Sequence, residues 1–130
     1  MSCPPVTAPT DHDRLRLGLM NAGLRLRDAV QTSTTFEAAR AELTRYCLFE
    51  VLPHLEQDEA WLTRAEQCPA ARPLAQAMRA ETRVITAAIL ELQDSDAPCE
   101  VVAVTRVLHT LLALHEDHQQ RLVTAIAATK

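Results

Sequence analysis

Apolar residues in this chain recur at steps of three and four along four separate runs, and that spacing leaves little choice of fold. In DHDRLRLGLMNAGLRLRDAV, residues Leu15, Leu19, Ala22, Leu26 and Ala29 fall on one face of a helix. A second run, from about Phe36 to Glu66, carries Leu43, Cys47, Val51, Trp61 and Ala65. A third, from about Ala71 to Gln93, carries Leu74, Met78, Ile85, Ile89 and Leu92. The last, from about Pro98 to Ala128, carries Val101, Val104, Leu108, Leu111, Leu112, Leu122 and Ile126. Its valines would suit a strand, but the spacing and length are helical. Alanine, leucine, arginine and glutamate dominate, and the only glycines are Gly18 and Gly23. Helices with one apolar stripe each must bury it against one another. The expected fold is therefore all-α, an antiparallel up-down-up-down four-helix bundle over residues 11–130.

The joints agree with these limits. Residues 1–10, MSCPPVTAPT, are rich in proline and small polar residues and read as a disordered N-terminal arm. Asp11 or Thr10 can cap the first helix, and Thr34-Thr35-Phe36-Glu37 matches a capping box before the second. Cys68-Pro69 ends the second helix, and Pro73 is tolerable in the first turn of the third. The DSDAP turn offers Asp94 or Asp96 as the next cap. Pro53 lies inside the second helix and forfeits a bond to the carbonyl of Phe49. A kink rather than a break is expected there, because the apolar period continues past it. Gly18 and Gly23 either weaken the first helix or admit a close neighbour.

The net charge of −4 and the single lysine, Lys130, argue against nucleic acid, whose phosphates need clustered cations in excess. No stretch is long and apolar enough to span a membrane, and the start lacks the basic and apolar regions of a secretory signal, so a cytoplasmic location is expected. Cys3, Cys47, Cys68 and Cys99 are widely spaced, with no CxxC. That pattern suggests free, inert thiols rather than a disulfide framework or a zinc site.

The histidines carry the chemical signal. In LPHLEQDEAWL, His54 and Asp58 stand four apart on the inward face of the second helix. His115 follows the inward leucines of the fourth helix, and His118, three further on, can share its face. His12 opens the first helix, three before inward Leu15, whereas His109 is offset from its stripe and expected to be solvated. An up-down-up-down bundle puts His54 and His115 at similar height, with His12 within a few turns of Asp58. Imidazole nitrogen and carboxylate oxygen suit non-haem iron, manganese or zinc. The bland alternative is a satisfied core histidine with its hydrogen-bonded carboxylate.

LPHLEQDEAWL, together with DHDRL, MRAETRVI and ALLALHEDHQQRLV in that order, resembles the hemerythrin-like HHE cation-binding domains, over about Asp11 to Ala128. The resemblance implies a four-helix bundle around non-haem iron, with roles in binding, sensing or handling oxygen, nitric oxide or peroxide. It assigns His12 to the first-helix ligand, His54 and Asp58 to the second-helix pair, and His115 to the fourth-helix histidine. Aspartate stands at Asp58 where the family has glutamate, Thr82 where it has a third-helix histidine, and Gln119 where it has a fourth-helix carboxylate. Two metals need anionic ligands to offset their charge, so the expectation is one iron held by His12, His54, Asp58 and His115, with His118 and Glu81 as replacements. The other outcome is a metal-free binding or regulatory module of the same fold. A third is an enzyme using the residual cluster for acid–base or oxidative chemistry. A small ligand such as oxygen or nitric oxide is the expected partner, and no protein partner is indicated.

Overall fold

The computed structural model describes residues 12–30 and 36–128, which are helical apart from short connections; no strand occurs among the described residues. The helices are α1 (His12–Val30), α2 (Phe36–Tyr46), α3 (Leu52–Ala65), α4 (Arg72–Asp94) and α5 (Pro98–Ala127). A π-helical turn, Cys47–Val51, joins α2 to α3 without a break, so the predicted second helix is one rod. α1 packs on α2 and α5, α3 on α4, and α4 on α5. None of the helices formed by the described residues is long and apolar enough to cross a membrane. The N-terminal arm, the Asp11 or Thr10 cap expected before α1 and Thr34 of the capping box expected before α2 lie outside the described residues.

The stripes point inward almost as their spacing requires. All five α1 positions are buried, as are Leu43, Cys47, Val51, Trp61 and Ala65 along the α2–α3 rod. Leu74 on α4 and Leu111 on α5 are only partly buried. Each fully buried leucine or isoleucine contributes roughly 1.5–3 kcal/mol by leaving water. The two glycines serve close approach. A Cβ at Gly18 would overlap the ring of Tyr46, whose hydroxyl donates a hydrogen bond to the Leu15 carbonyl at 3.1 Å. At Gly23 a Cβ would come within 3.0 Å of the Thr105 methyl.

At Pro53 the helix continues without a break, as expected, and one other local expectation is corrected. Pro53 is accommodated by the wider π turn just before it, where the Leu52 N–H reaches the Cys47 carbonyl five residues back. A π turn takes an extra residue, which relieves the proline ring's crowding against the preceding turn. The residue capping α5 is Ala97, which makes no side-chain hydrogen bond, so neither Asp94 nor Asp96 fills that role. Pro98 opens the helix instead, with its fixed φ and no N–H to satisfy.

The apolar interior falls into two clusters. The larger joins α1, α2, the π turn and Leu55 to Ile85, Ala88, Ile89 and Leu92 of α4 and to Val101, Val104, Leu108 and Leu112 of α5. The smaller joins Trp61, Leu62 and Ala65 to Cys68, Ala71, Ala75, Met78, Leu122 and Ile126. On each of three helices polar side chains are buried or partly buried between the two clusters: Asp58 on α3, Glu81 on α4, and His115, His118 and Gln119 on α5.

Candidate functional site

The polar layer is built around Asp58, which is 1% exposed. Its two oxygens face two imidazoles from different helices. His54, one turn back on α3, places Nε2 3.6 Å from Oδ1. His115 on α5 places Nε2 3.2 Å from Oδ2. The other ring nitrogen of His115, Nδ1, lies 3.3 Å from Oε1 of Glu81 on α4. The second oxygen of Glu81 pairs with Nδ1 of His118. The groups thus alternate, imidazole and carboxylate, from His54 through Asp58, His115 and Glu81 to the partly exposed His118.

His115 faces a carboxylate with each ring nitrogen, and either neutral tautomer donates to one of them and turns a lone pair toward the other. If Nδ1 carries the hydrogen and donates it to Glu81, the lone pair on Nε2 faces the Asp58 carboxylate. Two acceptors facing one another in a buried site repel, and a hydrogen or a cation between them relieves this. A proton on Nε2 makes His115 an imidazolium donating to both carboxylates. A metal ion in that gap would use the same lone pair, with Glu81 orienting the ring from behind, as carboxylates do for ligating histidines.

Of the six residues predicted for the site, five are placed. His54, Asp58 and His115 converge as expected, and Glu81 and His118 join them behind His115 rather than facing Asp58 directly. His12 is the first residue of α1, but its side chain lies outside the described residues. The hydroxyl of Thr82 donates to the Met78 carbonyl at 3.1 Å. Gln119 is buried in the same layer. Glu59, next to Asp58, is exposed and 3.4 Å from Arg79. No group of three or more His, Cys, Asp or Glu side chains among the described residues stands arranged as a metal cage.

Sequence reasoning missed the surroundings. A void of about 10 Å³, room for about one water-sized species, touches His54 and His115 and is walled by Leu15, Val51, Leu55 and Leu112. Arg16 also lines it and is held 2.8 Å from Glu116, bridging α1 to α5 beside the site. On its outer side His54 lines a separate cleft of about 230 Å³ with Arg14, Phe49, Glu50 and Gln57. His54 therefore stands between solvent and the void. The ion pair is a long-range contact, and no local pattern announces it.

The thiols divide. Cys47 and Cys99 are free; Cys47 is buried and its thiol is pushed up to about 12 by burial. Cys68 is disulfide-bonded, its partner lying outside the described residues, which corrects the expectation of a free thiol there.

Comparison with protein-family models, with curated proteins and with solved structures yields no match.

Proposed function

We propose that the chain is a hemerythrin-like antiparallel four-helix bundle that holds one non-haem iron ion between His54, Asp58 and His115, and that it senses or handles a small ligand such as oxygen, nitric oxide or peroxide. The observation that carries this reading is that Nε2 atoms from two helices face the two oxygens of one buried carboxylate, at 3.6 and 3.2 Å. Ligands held at roughly 2.0–2.2 Å from one ion lie about 2.9–3.6 Å from each other. The first separation is too long for a hydrogen bond but right for neighbours on one ion.

The donor set fits one ion and not two. A di-iron centre needs a second bridging carboxylate and a further histidine, and the resemblance puts neutral Gln119 and Thr82 at those two positions. One divalent ion is balanced by Asp58 with Glu81 behind His115. When bound, such an ion supplies a Lewis-acidic, redox-active position open to a small ligand. The protein's own part is orientation and exclusion. Glu81 holds the His115 ring, Asp58 supplies charge, and the apolar walls of the small void favour an uncharged diatomic over a larger polar molecule.

The alternative, a metal-free binding or regulatory module, is favoured by one observation: both ring nitrogens of His115 already have carboxylate partners. Metal analysis of protein purified without chelator separates the two. About one iron per chain is expected, lost in His54→Ala, with binding that weakens as pH falls because ligands must deprotonate. The same iron should raise the melting temperature of the wild type and not of the variant, since a ligand of the native state stabilises by mass action. Absence of iron after anaerobic loading would leave the metal-free module.

A further inference from the structure

A second cavity, sharing no residue with the His54–Asp58–His115 site, lies between α1 and α5. Its volume is about 420 Å³, within the roughly 300–1,000 Å³ of small-molecule pockets. Its floor is apolar. Leu19 and Leu26 are fully buried there, and Gly23 contributes no side chain. The Thr105 hydroxyl is turned away to the Val101 carbonyl at 2.7 Å, which leaves its methyl toward Gly23. At the mouth Met20 and Leu24 remain 40% and 41% exposed, apolar surface that an occupant would cover.

The rim has the opposite character. Arg27, Arg106 and His109 line it. Several arginines elsewhere among the described residues are joined to carboxylates, Arg14 to Glu50, Arg16 to Glu116, Arg25 to Glu42 and Arg79 to Glu66 among them, while others such as Arg45, Arg64 and Arg83 have no carboxylate contact among the described residues and do not line the cleft. Arg27 and Arg106 have no such partner among the described residues, although carboxylates outnumber Lys and Arg by 17 to 13 in the chain. His109, expected to be solvated, is instead partly buried against this cleft. An apolar floor beneath two guanidiniums matches a molecule with a hydrocarbon body and one anionic head.

We infer that the α1–α5 cleft binds an amphipathic monoanion, an aliphatic carboxylate whose chain lies along Leu19, Leu24 and Leu26 and whose head meets Arg27 and Arg106. The probe is octanoate, titrated calorimetrically into the full chain beside octanol and inorganic phosphate. Octanoate should bind at least about tenfold more tightly than octanol, because charge-assisted bonds to guanidinium are roughly twice as strong as neutral ones. Phosphate, lacking a chain, should give no heat. Arg27→Ala with Arg106→Ala should erase the preference for octanoate while leaving octanol binding unchanged. Leu24→Glu, which puts a like charge at the mouth, should abolish octanoate binding. All three side chains are exposed, so the fold should survive, and circular dichroism with a thermal melt checks it. Octanoate binding no tighter than octanol, phosphate binding as tightly as octanoate, or a preference that persists without both arginines would each overturn the assignment.

Discussion

Replacing Asp58 with alanine should destabilise the metal-free protein by about 3 kcal/mol, measured by urea unfolding in the presence of chelator. Removing one partner of a buried charged pair costs roughly 3–5 kcal/mol, because the other partner is left without compensation. The lower end applies here, since Glu81 still holds Nδ1 of His115 after Asp58 is gone. What remains is a ring nitrogen, on a residue 1% exposed, without the acceptor it faces. Replacing both partners, Asp58→Leu with His115→Leu, should recover most of the loss, because a buried polar pair exchanged for apolar groups is often neutral. A cost below about 1 kcal/mol for Asp58→Ala would mean that the carboxylate is better hydrated than its burial implies.

Alkali should weaken the fold through Cys47. Its thiol, ordinarily near 9.0, is pushed up to about 12 by burial. In the unfolded chain the thiol ionises from pH 9 upward, while in the folded protein it stays neutral until about 12. The unfolded state therefore binds fewer protons in that window, and stability falls as pH rises through it. The contribution is whole below the unfolded value and is lost by the folded one. A shift of 12 − 9.0, about three units at ~1.36 kcal/mol each, bounds the loss at about 4 kcal/mol. Urea titrations at closely spaced pH through this window should show a steep decline for the wild type and a shallower one for Cys47→Ala. Tyr46 is raised as well, first by burial and then by Glu50, so the variant's slope should shrink without vanishing. Identical slopes would count against the thiol as the source.

How far the sequence reached can be judged residue by residue. Helix limits and inward stripes were legible because burial of a helix face imposes the 3.6-residue period directly on residue type. His54, Asp58 and His115 were legible for the same reason, since polar residues on an apolar stripe have few other places to go. The π turn was not. Leu43, Cys47 and Val51 are spaced by four and four, and both a tight and a wide turn accept that spacing. Glu81 behind His115, and Arg16 against Glu116, join residues 34 and 100 positions apart, distances at which no local pattern operates. The α1–α5 cleft depends on where side chains fail to fill space, and periodicity records only where they do. Cys68 went wrong because spacing between cysteines does not reveal their pairing.

The polar layer between the two apolar clusters bears on how the protein opens. Proteins exchange amide hydrogens through partial unfolding, in units bounded by weak coupling between dry regions. The end formed by Trp61, Leu62, Ala75, Met78, Leu122 and Ile126 touches the rest of the interior across Asp58, Glu81, His115 and Gln119, not across packed hydrocarbon. Amides of the last turns of α3 and α5 and the first turns of α4 belong to that end. Hydrogen exchange should show them opening together and ahead of the amides of α1 and α2. A cation seated in the layer would join the two ends into one exchanging unit.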